Sequence, residues 1–171
     1  WDGYVNLNRA YTTNGLNQYE SAGNATFTYD ANGNLTSDGV NTFVYDVENR
    51  LVRVIGGGSA TNLFYDPLGR LYRTTTNVPG FSEKHYLYDG NALIAEYNNS
   101  GTMLRRYVHG SDLEADDPLI WYEGSAINGA ARRYLHPDPR GSIVAITRFQ
   151  GNLLTINSYD EYGIPDTASG N

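Results

Sequence analysis

Apolar and polar positions alternate in four short stretches of this chain, each of which ends in a tyrosine. Successive side chains of a β-strand point to opposite faces, so residues two apart share one face. The alternation therefore predicts short strands whose aromatic residues form a row, with one face buried and the other in water. The couples that share a face are Phe27 with Tyr29, Phe43 with Tyr45, Leu63 with Tyr65, and Tyr86 with Tyr88.

An internal repeat accompanies the alternation, because each stretch closes on a Tyr-Asp pair. In the first three copies a Gly or Asn stands four residues after the tyrosine and a Leu two residues later, so the unit is Tyr-Asp-x-x-(Gly/Asn)-x-Leu. These copies are Tyr29, Asp30, Gly33 and Leu35; Tyr45, Asp46, Asn49 and Leu51; and Tyr65, Asp66, Gly69 and Leu71. A fourth pair, Tyr88 and Asp89, lacks the Gly and Leu, and a distant fifth comprises Tyr159, Asp160 and Gly163.

The residues after each pair are those of a tight turn. Asp hydrogen-bonds the backbone ahead of it, Gly and Asn accept a positive φ, and Pro67 suits the position after Asp66. Each copy is thus predicted to be the corner of a β-hairpin. Further strands are predicted over 93–97, 104–109, 119–122, 132–136, 142–148 and 153–159, with no helix.

The predicted fold class is all-β, with stacked antiparallel hairpins forming part of a curved, spirally wound sheet. A unit this short cannot bury its own apolar face, so function is expected to belong to the array. The organisation is interpreted as one segment over residues 1–171. Its clearest repeats lie at 25–97 and degenerate ones at 98–165. The start at Trp1, without a Met or a signal peptide, favours a piece of something longer.

Composition removes several classes of function. The 15 tyrosines and 19 glycines fit strands and turns, and the absence of cysteine excludes disulfides and thiolate zinc sites. A net charge of -7, with 12 basic residues dispersed along the chain, argues against a nucleic-acid partner. No apolar run approaches the roughly 20 residues that span a bilayer.

Candidate catalytic and metal-binding patterns are weak, and no cofactor is expected. Asp30, Asn32 and Asn34 alternate as calcium ligands do, but turn chemistry is the favoured interpretation because glycine stands at the wrong place for a calcium loop. His85, His109 and His136 are too dispersed for a local zinc motif. The adjacent carboxylates at 116–117 and 160–161 point to opposite faces of a strand, so a hydrolase ranks last.

In combination, the motifs resemble the YD-repeat, or Rhs, family of large bacterial polymorphic toxins, over roughly residues 11–167. They include the three repeats, Tyr86-Leu-Tyr-Asp-Gly90, the segment from Asp117 to Gly124, Tyr134-Leu-His-Pro-Asp-Pro-Arg-Gly-Ser142, and the segment from Tyr159 to Pro165. The sequence departs from the family's pattern at two places. One is Arg148, where a Thr-Asp turn is usual, and the other is Tyr88-Asp89.

The resemblance implies a β-sheet wound into a hollow shell that holds a C-terminal toxin domain. A self-cleaving closing segment and the toxin would follow Asn171. The implied partners are the rest of the shell, the toxin domain and secretion-spike proteins, since delivery in the family often uses type VI secretion in interbacterial competition. The implied location is secreted or at the bacterial cell surface, after loading from the cytoplasm.

Two functions remain open at this level. The first is a non-enzymatic shell segment that encapsulates a toxin, with the tyrosines packing between strands. The second is a carbohydrate- or protein-binding module of a cell-surface YD-repeat adhesin, since aromatic rings also stack on sugars. Tyrosines buried between strands would count against the second.

Overall fold

A computed structural model describes residues 10–79, 83–110 and 117–158. Regular structure in these ranges is β-strand throughout, apart from one 3₁₀ turn at Gly129–Ala131. Consecutive strands pair antiparallel wherever a register is defined. The predicted all-β class of stacked antiparallel hairpins is confirmed. The residues up to Lys84 form one compact unit and those from His85 onward form a second.

The first unit contains a small sheet followed by a longer run of strands. The small sheet has three strands in chain order, β1 (Tyr11–Thr13), β2 (Tyr19–Ala22) and β3 (Ala25–Thr26). The longer run, also in chain order, is β4 (Thr28–Tyr29), β5 (Leu35–Ser37), β6 (Thr42–Tyr45), β7 (Leu51–Gly56), β8 (Ser59–Tyr65) and β9 (Leu71–Thr76). Each strand of this run pairs with the next, and a short turn connects the two.

The second unit repeats the arrangement with longer strands. They are β10 (Glu83–Asp89), which begins just before the boundary, β11 (Ala92–Asn98), β12 (Met103–His109), β13 (Pro118–Glu123), β14 (Arg132–Pro137), β15 (Ile143–Arg148) and β16 (Leu153–Ile156). Each of these strands also lies beside the one that follows it in sequence. The strands predicted beyond Tyr88 are all present to within a residue or two, except the last. It was predicted over 153–159 but ends at Ile156, and the next two residues are described outside any strand.

The prediction that one face of the sheet is buried is wrong. Only a few small or aliphatic side chains and one carboxylate are buried among the described residues, namely Ala22, Ala95, Ala131, Leu135, Ile146 and Glu96. In β6 the alternation survives in weaker form, since Phe43 and Tyr45 are half-buried while Thr42 and Val44 are exposed. Within each unit, strands pack beside the strands that precede and follow them in sequence. Neighbouring strands therefore cover the side chains laterally, and both faces of the sheet remain partly exposed to solvent.

The start of the array also differs from the expectation. Phe27 and Tyr29 were expected on one strand, but Phe27 lies between β3 and β4, and its N–H donates to the carbonyl of Glu20 at 2.9 Å. The strand is therefore divided between two sheets. β1 and β2 were not predicted, because the segment from Tyr11 to Ala22 has no Tyr-Asp pair and little apolar alternation.

Candidate functional site: a repeated hydrogen-bonded corner

The first Tyr-Asp copy forms a corner closed by both backbone and side chain. The N–H of Asp30 donates to the carbonyl of Asn34 at 3.0 Å, and the N–H of Gly33 donates to the carbonyl of Asp30 at 3.1 Å. The Asp30 carboxylate accepts from the backbone N–H groups of Asn32 and Asn34, both at 2.9 Å. Its second oxygen accepts from the Asn34 side-chain amide at 3.0 Å. The aspartate thus satisfies donors that the reversal leaves without backbone partners.

The next two copies have the same corner with an ion pair added. Asp46 Oδ1 accepts from the N–H of Glu48 and Arg50, and Asp66 Oδ1 accepts from the N–H of Leu68 and Arg70, all within 2.9–3.0 Å. The second oxygen of each aspartate binds the guanidinium four residues on, with Nε at 2.8 Å and Nη2 at 2.7 Å. Arginine replaces Asn34 without changing the turn.

The Gly or Asn of the repeat occupies a left-handed backbone position. The φ angles are 87° at Gly33, 61° at Asn49 and 81° at Gly69. The tyrosine and leucine of the unit lie opposite one another across the hairpin, with a bulge at the step before the corner, in the pairs Tyr29 with Leu35, Tyr45 with Leu51, and Tyr65 with Leu71. Every fixed position of the repeat therefore has a role in one corner.

Three further corners have the same backbone and lack the Tyr-Asp signature. Their first residues are Asn98, Asp138 and Arg148, and the glycines three positions later have φ angles of 73° at Gly101, 86° at Gly141 and 82° at Gly151. Asn98 and Asp138 cap the turn as the aspartates do. In all three a Gly stands two positions before an apolar residue, and this spacing is the signal by which the sequence could have identified them as the same corner.

The fourth Tyr-Asp pair forms a different turn. Asp89 is the last residue of β10 and β11 begins at Ala92, so only two residues connect the strands, with φ at 56° for Gly90. This agrees with the missing Gly and Leu at the repeat positions. The fifth copy, Tyr159, Asp160 and Gly163, lies outside the described residues.

Neighbouring corners are linked through side chains. The amides of Asn32 and Asn34 both donate to Asn49 Oδ1, at 3.1 and 2.8 Å. The Tyr65 hydroxyl donates to the carbonyl of Leu51 at 2.8 Å, and the Arg50 guanidinium carbon lies 5.3 Å from the centre of the Tyr65 ring. Partial burial raises the pKa of Tyr65. Tyr65 therefore joins its hairpin to the preceding one.

The remaining candidate groups are engaged locally. Asp30 Oδ2, considered as a calcium ligand, binds the Asn34 amide. His109 Nε2 lies 2.6 Å from the carbonyl of Leu93, and His136 Nε2 lies 3.0 Å from Thr147 Oγ1. In the described ranges no three residues of the types His, Cys, Asp and Glu converge as metal ligands would.

A buried polar network on β11, β12 and β13 was not predicted. Glu96 is 6% exposed and accepts a short hydrogen bond from the Tyr107 hydroxyl. Arg105 Nη1 lies 3.9 Å from Glu96, its Nε lies 3.9 Å from Glu123, and its guanidinium covers the Trp121 ring at 5.0 Å. Burial raises the pKa of Tyr107, and the hydrogen bond to Glu96 adds to the effect. We call these five residues the Glu96 network.

The corner aspartates predict a loss of stability in acid. Hydrogen bonds from Asn34 lower the pKa of Asp30, and those from the backbone and side chain of Arg50 lower the pKa of Asp46, below the ordinary 3.8. At Asp66 partial burial acts upward but is outweighed by the bonds from Arg70, so its pKa is lowered too. Carboxyl groups with lowered pKa stabilise the fold above 3.8 and lose that contribution as the pH falls through the folded value.

We therefore expect the urea midpoint to fall between about pH 6 and about pH 3. Replacing Asp46 and Asp66 with asparagine should flatten this dependence, because Asn98 shows that an amide can cap the same turn without titrating. Denaturation followed by circular dichroism at several pH values measures both. An acid dependence of equal size in the double variant would contradict the assignment.

Comparison with known proteins identifies the family. The family model described as teneurin YD-shell matches residues 6–169. The chain belongs to the teneurin YD-shell family. It is accordingly a segment of a YD shell, as its repeats indicated, and the corners described above are the structural form of the YD repeat in this chain.

The YD-shell segment is also similar to parts of much larger proteins. It is 29% identical over 155 residues to the tRNA3(Ser)-specific nuclease WapA of Bacillus spizizenii and to the tRNA nuclease WapA of Bacillus subtilis, covering 88% of this chain and 6% of each relative. A solved structure of the Photorhabdus luminescens Tc holotoxin pore matches with a TM-score of 0.59 at 13% identity, over 92% of this chain and 10% of that one. That likeness supports the fold alone. Among the described residues, no helix is long and apolar enough to cross a membrane.

Proposed function

We propose that this YD-shell segment is a non-enzymatic part of a wall, and that the complete shell encloses a C-terminal toxin domain. The observation that carries the proposal is the repeated corner, in which each aspartate binds the backbone of its own turn and Tyr65 links its hairpin to the preceding one. Such groups hold a sheet together. Enclosure needs only an intact barrier, so it requires no pocket on the wall.

The relatives support a toxin context. Two of them are named as tRNA nucleases and this chain covers only 6% of their length, which leaves ample room for a catalytic domain elsewhere in a similar protein. The partners proposed for the segment are the remainder of its shell and that toxin domain, with secretion-spike proteins where delivery uses type VI secretion. The proposed location is secreted or at the bacterial surface after loading from the cytoplasm. Nucleic acid is not a proposed partner of the wall.

Limited proteolysis of the full-length parent protein tests enclosure. The C-terminal domain should be digested much more slowly in the parent than when it is produced alone, because the wall excludes the protease. The variant Gly69→Val, which strains one corner, should increase the digestion rate, whereas Gly69→Asn should leave it nearly unchanged. Rapid digestion of the C-terminal domain while the wall stays intact would refute enclosure.

A binding module of a surface adhesin is the second candidate, since Tyr19, Tyr72 and Phe149 are 37%, 39% and 45% exposed. Against it, the repeat tyrosines Tyr29 and Tyr65 donate their hydroxyls to neighbouring backbone carbonyls. A glycan array separates the two candidates. Binding that is lost in Tyr72→Ser would favour the adhesin, and the absence of binding would count against a carbohydrate-binding role of these rings.

A further inference from the structure

A row of cationic and aromatic side chains crosses three strands of the second unit. Arg106 on β12 lies opposite Tyr122 on β13, and Tyr122 lies opposite Arg132 on β14. Directly opposed residues share a face of the sheet, and Tyr134, two positions after Arg132, shares it as well. We call Arg106, Tyr122, Arg132 and Tyr134 the arginine–tyrosine patch. It is not part of the repeated corners or of the Glu96 network.

The patch presents hydrogen-bond donors. Arg132 Nε donates to the Tyr122 hydroxyl at 3.1 Å and its Nη1 donates to the Tyr134 hydroxyl at 3.3 Å. Both hydroxyl oxygens therefore accept from the guanidinium, and each keeps its own O–H for another acceptor. Among the described residues, the side-chain acceptor of Arg106 is a weak one, with Nη2 at 3.7 Å from Met103 Sδ. Most N–H groups of the two guanidiniums remain available.

Among the described residues, no carboxylate forms an ion pair with the arginines of the patch. Arg50, Arg70 and Arg105 each have an Asp or Glu within 4.0 Å. Hydrogen bonds to Tyr134 and Tyr122 raise the pKa of Arg132. A cluster of donors without an acceptor is complementary to an anion.

We propose that the arginine–tyrosine patch binds a carboxylate-bearing segment of polypeptide. The planar guanidinium fork matches a carboxylate in bidentate fashion. Arg106 and Arg132 are two strands apart, about 10 Å, a separation that lets two acidic side chains of one extended peptide reach one arginine each. Tyr122 lies between the two arginines and Tyr134 lies two positions after Arg132, so both hydroxyls can donate to the same ligand. The site is distinct from the proposed enclosure and holds whether or not a toxin is enclosed.

A peptide fits better than a nucleic acid. Tight binding to a phosphate backbone draws on about 6–10 cationic contacts, and the patch offers two. The chain as a whole carries a net charge of -7, which repels a long polyanion more strongly than a peptide with a few carboxylates. Pairing of two arginines with two carboxylates requires no wider basic surface.

Fluorescence anisotropy with the full chain tests the proposal. The probes are labelled decaglutamate, the neutral decaglutamine, and an oligothymidylate of matched length. The variants are Arg106→Gln, Arg132→Gln and both together, and Arg53→Gln is the matched control because Arg53 is an exposed strand arginine with no tyrosine row. Far-ultraviolet circular dichroism verifies folding. If the loss of Arg132 disturbs Tyr122 and Tyr134, Arg106→Gln still tests the patch independently.

Decaglutamate should bind saturably and decaglutamine should not. Arg106→Gln should weaken decaglutamate binding about tenfold, and the double variant more, while Arg53→Gln changes it less than about twofold. Equal weakening by Arg53→Gln would show that only overall charge matters and would overturn the site. Failure of decaglutamate to bind would overturn it too. Tighter binding of oligothymidylate, lost in the same variants, would replace the peptide surface with a phosphate surface.

Discussion

Replacing Gly69 with valine should lower the free energy of unfolding by about 1–3 kcal/mol. Gly69 has a φ of 81°, in the left-handed region that β-branched residues avoid. A Cβ added there meets no atom within 4 Å, so the cost arises from the backbone alone and not from a clash. Urea denaturation followed by circular dichroism measures the change.

Two matched substitutions separate backbone strain from general disturbance. Gly69→Asn should cost much less, because Asn49 occupies the equivalent position with a φ of 61°. Gly15→Val should change stability by less than about 0.5 kcal/mol, since Gly15 also has open space around it but does not have a positive φ. If valine and asparagine at position 69 cost the same, the left-handed corner is not what the glycine provides.

Removing the Tyr107 hydroxyl should cost about 1.5–3 kcal/mol of stability. Tyr107→Phe keeps the ring but takes away the donor to Glu96, whose side chain is buried at 6% exposure. Arg105 Nη1 lies 3.9 Å from Glu96 Oε1, beyond hydrogen-bonding distance, so this contact does not replace the bond from Tyr107. Chemical denaturation of Tyr107→Phe beside the native chain gives the value.

Tyr72→Phe is the control, because Tyr72 is 39% exposed and its hydroxyl makes no hydrogen bond among the described residues. Its effect should stay within about 0.5 kcal/mol. A double-mutant cycle with Glu96→Gln assigns the loss: the effect of Tyr107→Phe should shrink when the carboxylate is absent. An undiminished effect would show that Tyr107 stabilises the sheet through its ring and not through Glu96.

The repeated corner was predictable because its chemistry is local. Asp30, Asn32, Gly33 and Asn34 lie within five consecutive positions, and each acts on the backbone of the same turn. The spacing from tyrosine to leucine likewise reflects one cross-strand pair around the corner. Residues this close in sequence are close in any fold, so the pattern alone determines the hairpin.

The Glu96 network could not be predicted from the same kind of pattern. Glu96, Arg105 and Glu123 meet because β11, β12 and β13 align in one particular register, with Arg105 opposite both carboxylates. A shift of one residue would place Arg105 on the other face. The arginine–tyrosine patch depends on register in the same way. Burial was mispredicted for a related reason, since alternation shows which side chains share a face but not what covers it.

Antiparallel pairing between sequence neighbours has a consequence for how such a wall is made. Each strand finds its partner a few residues away across a closed corner, so little chain entropy is lost in joining them. Hairpins can form in succession from the amino end as the polypeptide leaves the ribosome, each adding to an edge already in place. A long wall of this design grows by local steps and needs no distant ends to meet before its first strands are stable.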